Sequence, residues 1–542
     1  MRQQFKNKLV ARKGCSTIPL IKKIIKMKYS NLYKNMAIIC LGAGLIAMSC
    51  TKNLDKVNPS FATVASYFKN SSELLNGTNA IYVTFHSDFL VGREWFWLND
   101  LRSDDIASGG GQLEVARAQI LNGNVSPSNS VINTAWMGFY TVIHRANTVI
   151  DNGPNVKDNN ALRDRLVGEA KFLRAWAYFE LVSMWGGVPV YTTEVTTPDQ
   201  FQPRAPEDSV YAQIIRDLKD AAAALPATTT ELGRATQPAA NAMLGRVYMQ
   251  KGDYASAKAA LLQITGFSLV DNYSDNFDEE HEFNKESIFE AVFVNKDANE
   301  QNFNWGSGDG ASSPQTTWRN QEYSPISWRN AIPSNRFLNE FENTATGAAK
   351  TDPRYAMSVY QTGDKYFNNT LTLTDAAQNG NSSIVNGNTV KVSWRKFMLI
   401  YKNNDGYKPG GINQRIIRYA EVILMLAECE NELGNSSAAI GYLNQIRNRP
   451  SVMMPNYPTA QFPCSNKNEI MKAIMHEKTV ELGDEEIRNR DILRWRKKGY
   501  FTTDPFPYFV AGRDELLPIP QSEIDNNPKL GSGSVSKQNP GY

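Results

Sequence analysis

The sequence predicts a mainly α protein: a helical scaffold with tetratricopeptide-like helix pairs, interrupted by long irregular or β-containing loop insertions. Three observations carry this. Residues 162–185 (LRDRLVGEAKFLRAWAYFELVSMW) are apolar nearly all round from Ala170 onward, the pattern of a buried helix. A helix–turn–helix unit recurs at an offset of 182 residues. Long stretches rich in Gly, Ser, Asn and Pro separate its two copies.

Each element has its own signal. The 162–185 helix stops at Gly186-Gly187, with Pro189 beyond. The repeat aligns 242–264 (AMLGRVYMQKGDYASAKAALLQI) with 424–446 (LMLAECENELGNSSAAIGYLNQI), and seven of 23 positions are identical. Gly252 and Gly434 fall where a left-handed residue would end the first helix. Leu-Gly-x-x-Tyr at 244–248, followed by Ala257, has tetratricopeptide spacing. The copies are not in tandem, so a regular solenoid is not expected. Residues 360–395 carry alternating stretches (TLTLT, NTVKVSW) that read as paired strands. Residues 466–499 read as a salt-bridged helix face, with Ile474, Leu482, Leu493 and Trp495 inward. The tail from Leu516 is Pro-rich and extended.

The chain has 542 residues, 42% apolar and 21% charged, the composition of an ordinary globular protein. No apolar run reaches the 18 or so residues of a membrane-spanning helix. The net charge of +3 hides an asymmetry: residues 1–49 hold ten Lys/Arg and no Asp/Glu. Subtracting them leaves 48 Lys/Arg against 55 Asp/Glu, a net of −7. An acidic body argues against nucleic-acid binding, which needs clustered cations.

The basic end reads as an address. Met36–Met48 (MAIICLGAGLIAM) is a 13-residue apolar stretch with Lys28 and Lys34 upstream and Ser49-Cys50 behind it. This is a secretory signal, and a Cys directly after it is the acceptor pattern of bacterial lipoproteins. Ala47 stands where such a box usually has Leu, and Met27 is the expected start. Cys50 is the expected lipidation site, and acyl chains would anchor the protein. Cys429 sits in an apolar helical run; a Cys429–Cys464 bridge is left open.

Chemical motifs are sparse. The four His (His86, His144, His281, His476) lack zinc-ligand spacing, and no GxSxG, GxxxxGK[ST] or GxGxxG marks a hydrolase or a nucleotide site. No cofactor is expected. Asp271, Asp275, Asp278, Glu279 and Glu280 could offer Ca²⁺ oxygen ligands, but without EF-hand order a solvated acidic loop is the plainer reading. Aromatic rings in the polar loops are more telling. Trp305 lies in NFNWGSGDG, and Trp318 and Trp328 are each followed by Arg-Asn: Arg319-Asn320 and Arg329-Asn330. Rings stack on the apolar faces of sugars, and amides or charged groups take the hydroxyls. Trp95 and Trp97, in REWFWLND, form a second candidate cluster. The competing reading is that these rings anchor loops onto the helical core.

Several segments together resemble the SusD/RagB family of outer-membrane nutrient-binding lipoproteins. They are GEAKFLRAWAYFELVSMWGGVPV, RATQPAANAMLGRVYMQKGDYASA, IIRYAEVILMLAECENELGN followed by LNQIRNR, and the tail DELLPIPQSEIDNNPKL…QNPGY. The DLRSDD of 100–105 and the DPR of 352–354 also fit. Cys429, Lys478 and Glu486 depart from the pattern, standing where the family tends to have Ala, Arg and Gly. The resemblance implies a leader at 1–49, an N-terminal helical region at 50–230 and a C-terminal region at 231–542, the last two forming one compact fold. It also implies a surface-exposed, lipid-anchored outer-membrane protein that is not an enzyme. Such a protein captures a glycan and hands it to a SusC-like TonB-dependent transporter. Three alternatives stay open: a peptide-binding lid of a peptide importer, a helical-repeat scaffold for surface protein assembly, and a hydrolase, which turnover of a glycan by the purified chain would reveal.

Overall fold

Helix starts follow the side chains that the sequence offers. The computed structural model describes residues 67–294, 316–408, 410–506 and 508–542. In it, Asn70, Asn129, Asn159 and Asn466 accept first-turn N–H groups of the helices Ser71–His86, Ser130–Asn152, Asn160–Trp185 and Lys467–Leu482. These N–H groups have no partner inside the helix, so the Asn oxygen replaces water there. Cys50 and Trp305 lie outside the described residues.

The Asn160–Trp185 helix is buried from Ala170 to Val182 apart from Lys171 and ends at Gly186, with φ +71°. It packs between Ser130–Asn152 and Glu207–Ala224. Its buried charges are matched: Arg174 pairs with Asp217 at 2.7 Å, and Glu180 with Arg490 at 2.9 Å. Trp176 meets Phe85 edge-to-face at 4.7 Å in the main core.

Both copies of the repeat are helix–turn–helix units, Gln237–Lys251 with Tyr254–Leu261 and Tyr419–Glu432 with Ser436–Arg447. Gly252 and Gly434 close the first helix of each with φ of +77° and +85°. The Tyr254–Leu261 helix packs on Tyr419–Glu432, so the two units meet in space. Together with the Gln521–Asn526 helix, the elements of Phe68–Tyr542 form one compact unit.

Strands among the described residues come only as two-stranded antiparallel sheets in the loops. The alternating stretches of 360–395 do form strands, but each pairs locally: Leu371–Thr372 with Lys365–Tyr366, Asn388–Val390 with Ser383–Val385, and Val392–Trp394 with Val359–Gln361.

The charged segment departs from expectation. It is two helices, Lys467–Leu482 and Arg488–Lys497, and many of its charges, from Glu477 to Arg494, are buried, while Lys467, Lys472 and Lys497 stay exposed. Glu477 bridges Arg354 and Arg447, while Glu481 bridges Arg354, Arg418 and Arg449, all fully buried. Ile474, Leu482 and Trp495 are buried as expected, and Leu493 is half-buried. Cys429 and Cys464 are both free and buried.

Candidate functional site

Three loops converge around Trp328. The strand Ile106–Ser108 pairs with Ala331–Pro333, which brings the Gly109-Gly110-Gly111 loop beside residues 324–330. Gly109 N–H donates to the Asn330 carbonyl at 2.9 Å, and its own carbonyl accepts from Asn381 N–H at 2.7 Å. The contact is too close for a side chain. A Cβ on Gly109 would lie 1.6 Å from the Arg329 carbonyl oxygen, and one on Gly380 would lie 1.9 Å from the Gly109 carbonyl oxygen.

Arg329 is the clasp. Its backbone is left-handed, with φ +50°. Its guanidinium donates to Ser393 Oγ at 2.8 Å, to the Asn381 carbonyl at 2.9 Å and to the Val392 carbonyl at 2.6 Å. Burial pushes its pKa down to about 10, because the groups it meets are neutral oxygens. Asn330 donates to Glu322 at 2.6 Å, and Glu322 also holds Arg93 at 2.6 Å.

A second clasp carries a fourth loop. Asn320 donates to the Gly406 and Lys408 carbonyls at 3.2 and 2.8 Å and accepts from Leu399 N–H at 2.9 Å. This presents Tyr407, which is 47% exposed. Its ring meets half-buried Trp328 at 6.5 Å and 76°, edge-to-face. Trp328 and Tyr407 thus form an aromatic ridge fixed from below by Asn320 and Arg329.

The structure distributes the candidate residues differently from the sequence expectation. Trp95, Trp97 and Trp318 are core residues with 1%, 0% and 2% exposure. Trp97 packs edge-to-face on Tyr323 at 4.9 Å and beneath Arg117, 5.0 Å from the ring centre. These rings cannot stack on a ligand where they stand, because neighbouring side chains already cover them. Arg319, Asn320, Arg329 and Asn330 are likewise buried, and apart from Arg319 Nε their donors are engaged by the protein itself. Of the tryptophans described, Trp328 keeps a place at the surface among the candidates. Tyr407 was not singled out from the sequence, although it sits in NNDGYKPGG, a Gly/Asn/Pro-rich stretch like the one that holds Trp305.

Arg319 sits deeper, among Asp484 at 2.8 Å, Asp100 at 3.5 Å and Glu486. Burial pushes Asp484 up to about 6 and Glu486 up to about 7, with Arg319 only partly offsetting it. Glu486 has φ +58°, a left-handed conformation that favours glycine.

The acidic loop does not present an oxygen cage. The ligand atoms of Asp275, Asp278 and His281 lie within 4.8 Å of one another, but one is an imidazole, 2.9 Å from Asp278. Ca²⁺ takes six to eight oxygens. Glu279 pairs with Lys402 at 2.7 Å, and Asp271 with Lys285 at 3.1 Å. Glu280 also holds Lys402.

Comparison with known proteins covers most of the chain. A profile described as the SusD family matches residues 285–542, and one described as "Starch-binding associating with outer membrane" matches residues 63–249. SusD-like protein P2 of Formosa agariphila is 26% identical over 495 residues, spanning 88% of this chain and 94% of its own. A structure titled "Laminarin binding SusD-like protein" is 26% identical with a TM-score of 0.69, covering 88% of this chain and all of that one. A SusD superfamily protein from Bacteroides vulgatus superposes with a TM-score of 0.71 at 23% identity, covering 88% of this chain and 100% of that one.

Proposed function

The chain belongs to the SusD/RagB family, non-catalytic glycan-binding proteins associated with the outer membrane, and from that premise we propose that its ligand surface is the Trp328–Tyr407 ridge. The observation that carries this reading is the ridge itself: two rings set at an angle, held at the surface by buried Asn320 and Arg329. Rings held so firmly lose little entropy when a sugar stacks on them. Trp305 is proposed to add a further ring from its Gly/Asn-rich loop.

The finer steps follow the same reading. Lipid on Cys50 tethers the protein to the outer membrane, with the ligand surface facing outward. The captured glycan passes to a SusC-like TonB-dependent transporter, and no bond is made or broken. Tethering raises the effective concentration of binder beside the transporter. The laminarin-binding relative makes β-glucans a natural part of any ligand panel.

The test is electrophoretic retardation of the chain in gels containing laminarin, other β-glucans, starch, fructans, pectins or mannans. At least one polysaccharide should retard it. Trp328→Ala and Tyr407→Ala should each weaken that retardation at least fivefold, with circular dichroism unchanged. If every polysaccharide leaves migration unaltered, the glycan reading fails. If retardation survives both substitutions, the ridge is not the site.

A further inference from the structure

We propose a second carbohydrate site, a one-ring pocket lined by Tyr140, His144, Tyr191, Phe201, Glu523 and Asn526, in the helical half of the molecule. It rests on the glycan reading for its ligand class but not on the Trp328–Tyr407 ridge, with which it shares no residue.

The pocket is built by sequence-distant pieces. The Ser130–Asn152 helix places Tyr140, Ile143, His144 and Asn147 on one face, at helical spacing. The chain from Tyr191 to Phe201 forms the second wall, and the Gln521–Asn526 helix the third. The cavity is about 210 Å³. At about 30 Å³ per water, it displaces roughly seven waters, the scale of a single pyranose ring.

The walls are fixed before any ligand arrives. Tyr140 and Tyr191 meet edge-to-face at 6.0 Å and 77°. The Tyr140 hydroxyl donates to the Pro189 carbonyl at 2.8 Å, and the Tyr191 hydroxyl accepts from Gln202 N–H at 3.3 Å. Asn147 donates to the Tyr191 and Thr193 carbonyls and accepts from Arg174. Asn527 donates to the Gln202 carbonyl and to Glu523, joining the second wall to the third.

Polar capacity remains at the rim. Among the described residues the Asn526 side chain has no hydrogen-bond partner, and the His144 imidazole has only Glu194 at 4.0 Å. Glu523 accepts from Trp136 Nε1 at 3.3 Å and keeps lone pairs to spare. Angled rings beside an amide, an imidazole and a carboxylate acceptor suit a neutral sugar, with its C–H faces and its ring of hydroxyls. A lone carboxylate is a poor cage for a metal ion, and the polar rim is a poor seat for a wholly apolar guest. A second site would hold a polysaccharide at two points, which multiplies retention without tighter single contacts.

The test is saturation-transfer NMR on the full chain with glucose, galactose, mannose, xylose, fucose and N-acetylglucosamine at millimolar concentration. At least one sugar should give transfer signals that persist in Trp328→Ala. They should fall at least fivefold in Val195→Trp, which fills the pocket, and in the double variant His144→Ala/Asn526→Ala, whose residues are exposed enough to leave the fold intact. The proposal is overturned if no sugar gives a signal, or if the signals are unchanged in both pocket variants. Signals lost in Trp328→Ala alone also overturn it and assign them to the ridge. Polysaccharide retardation without any monosaccharide signal removes this site and leaves the ridge reading standing; loss of both removes the glycan reading itself.

Discussion

The tripeptide Trp-Arg-Asn occurs at 318–320 and again at 328–330, and the two copies do different work. In the first, Trp318 is core and Arg319 is surrounded by carboxylates. Burial by itself would lower the Arg319 pKa, but Asp484, Glu486 and Asp100 overcome it and hold the pKa above its ordinary value. In the second, Trp328 reaches the surface, and Arg329 meets carbonyl and hydroxyl oxygens only, so burial wins and its pKa falls to about 10. Identical residues thus serve as the counter-ion of a buried acidic cluster in one place and as a loop clasp in the other. The sequence neighbours do not decide this; the groups brought in from residues 100, 484, 486 and 393 do.

The sharpest way to break the comparison is to remove each arginine. Arg319→Ala leaves three buried carboxylates without their shared cation and should cost about 3–5 kcal/mol. Arg329→Ala leaves neutral rather than charged oxygens without their donor, those of Ser393 and Val392 from buried hydrogen bonds and that of Asn381 from a half-buried one, and should cost about 1–3 kcal/mol. Denaturant unfolding of both variants gives the ranking. Equal losses would mean that the charge environment is not what separates them. Arg329→Ala should also weaken polysaccharide retardation, since it unclasps the loop that carries Trp328, whereas glycan affinity in folded Arg319→Ala should change less.

A pH titration sharpens the same contrast. Asp484 and Glu486 have folded pKa values of about 6 and about 7, above the ordinary carboxylate range. Between about pH 4 and 7 the folded state therefore holds more protons than the unfolded state, and these groups make stability fall as pH rises. Glu481 and Glu340 lie at the other extreme, depressed far below the ordinary range or to about 2 by their cationic partners despite burial, and their contribution is lost as pH falls below about 4.5. Glu486→Gln keeps the shape of the protonated acid and removes one titration. The difference in stability between variant and parent should favour the variant increasingly from pH 5 to 8. A difference that stays flat across this window would mean that Glu486 is ionised throughout.

What was legible in the sequence was what depends on near neighbours. The 160–185 helix, its glycine stop and the two repeat units follow from periodicity and turn residues within about 25 positions. The site was legible only as a class: aromatic rings in polar loops. Which ring surfaces depends on contacts such as Asn320 to the Lys408 carbonyl, 88 residues away, and these leave no local trace. The charged 466–499 segment misled for the same reason. A helix with alternating charges looks alike whether its partners are water or Arg354, Arg418 and Arg449.

The two helix turns provide the smallest and cleanest effect. Gly252 and Gly434 share a left-handed backbone, and a Cβ on either would meet nothing within 4 Å. Any cost of Gly→Ala there is thus conformational, about 1 kcal/mol, with no clash added. Gly252→Val should cost more than about 1 kcal/mol, since a β-branched residue tolerates positive φ least. Gly109→Ala is the contrasting case, because its Cβ would strike the Arg329 carbonyl and the loop must move. Matched unfolding curves for Gly252→Ala, Gly434→Ala and Gly109→Ala should place the first two together and the third well below them. A Gly109→Ala protein as stable as the turn variants would show that the three loops under Trp328 are not clasped as tightly as their hydrogen bonds imply.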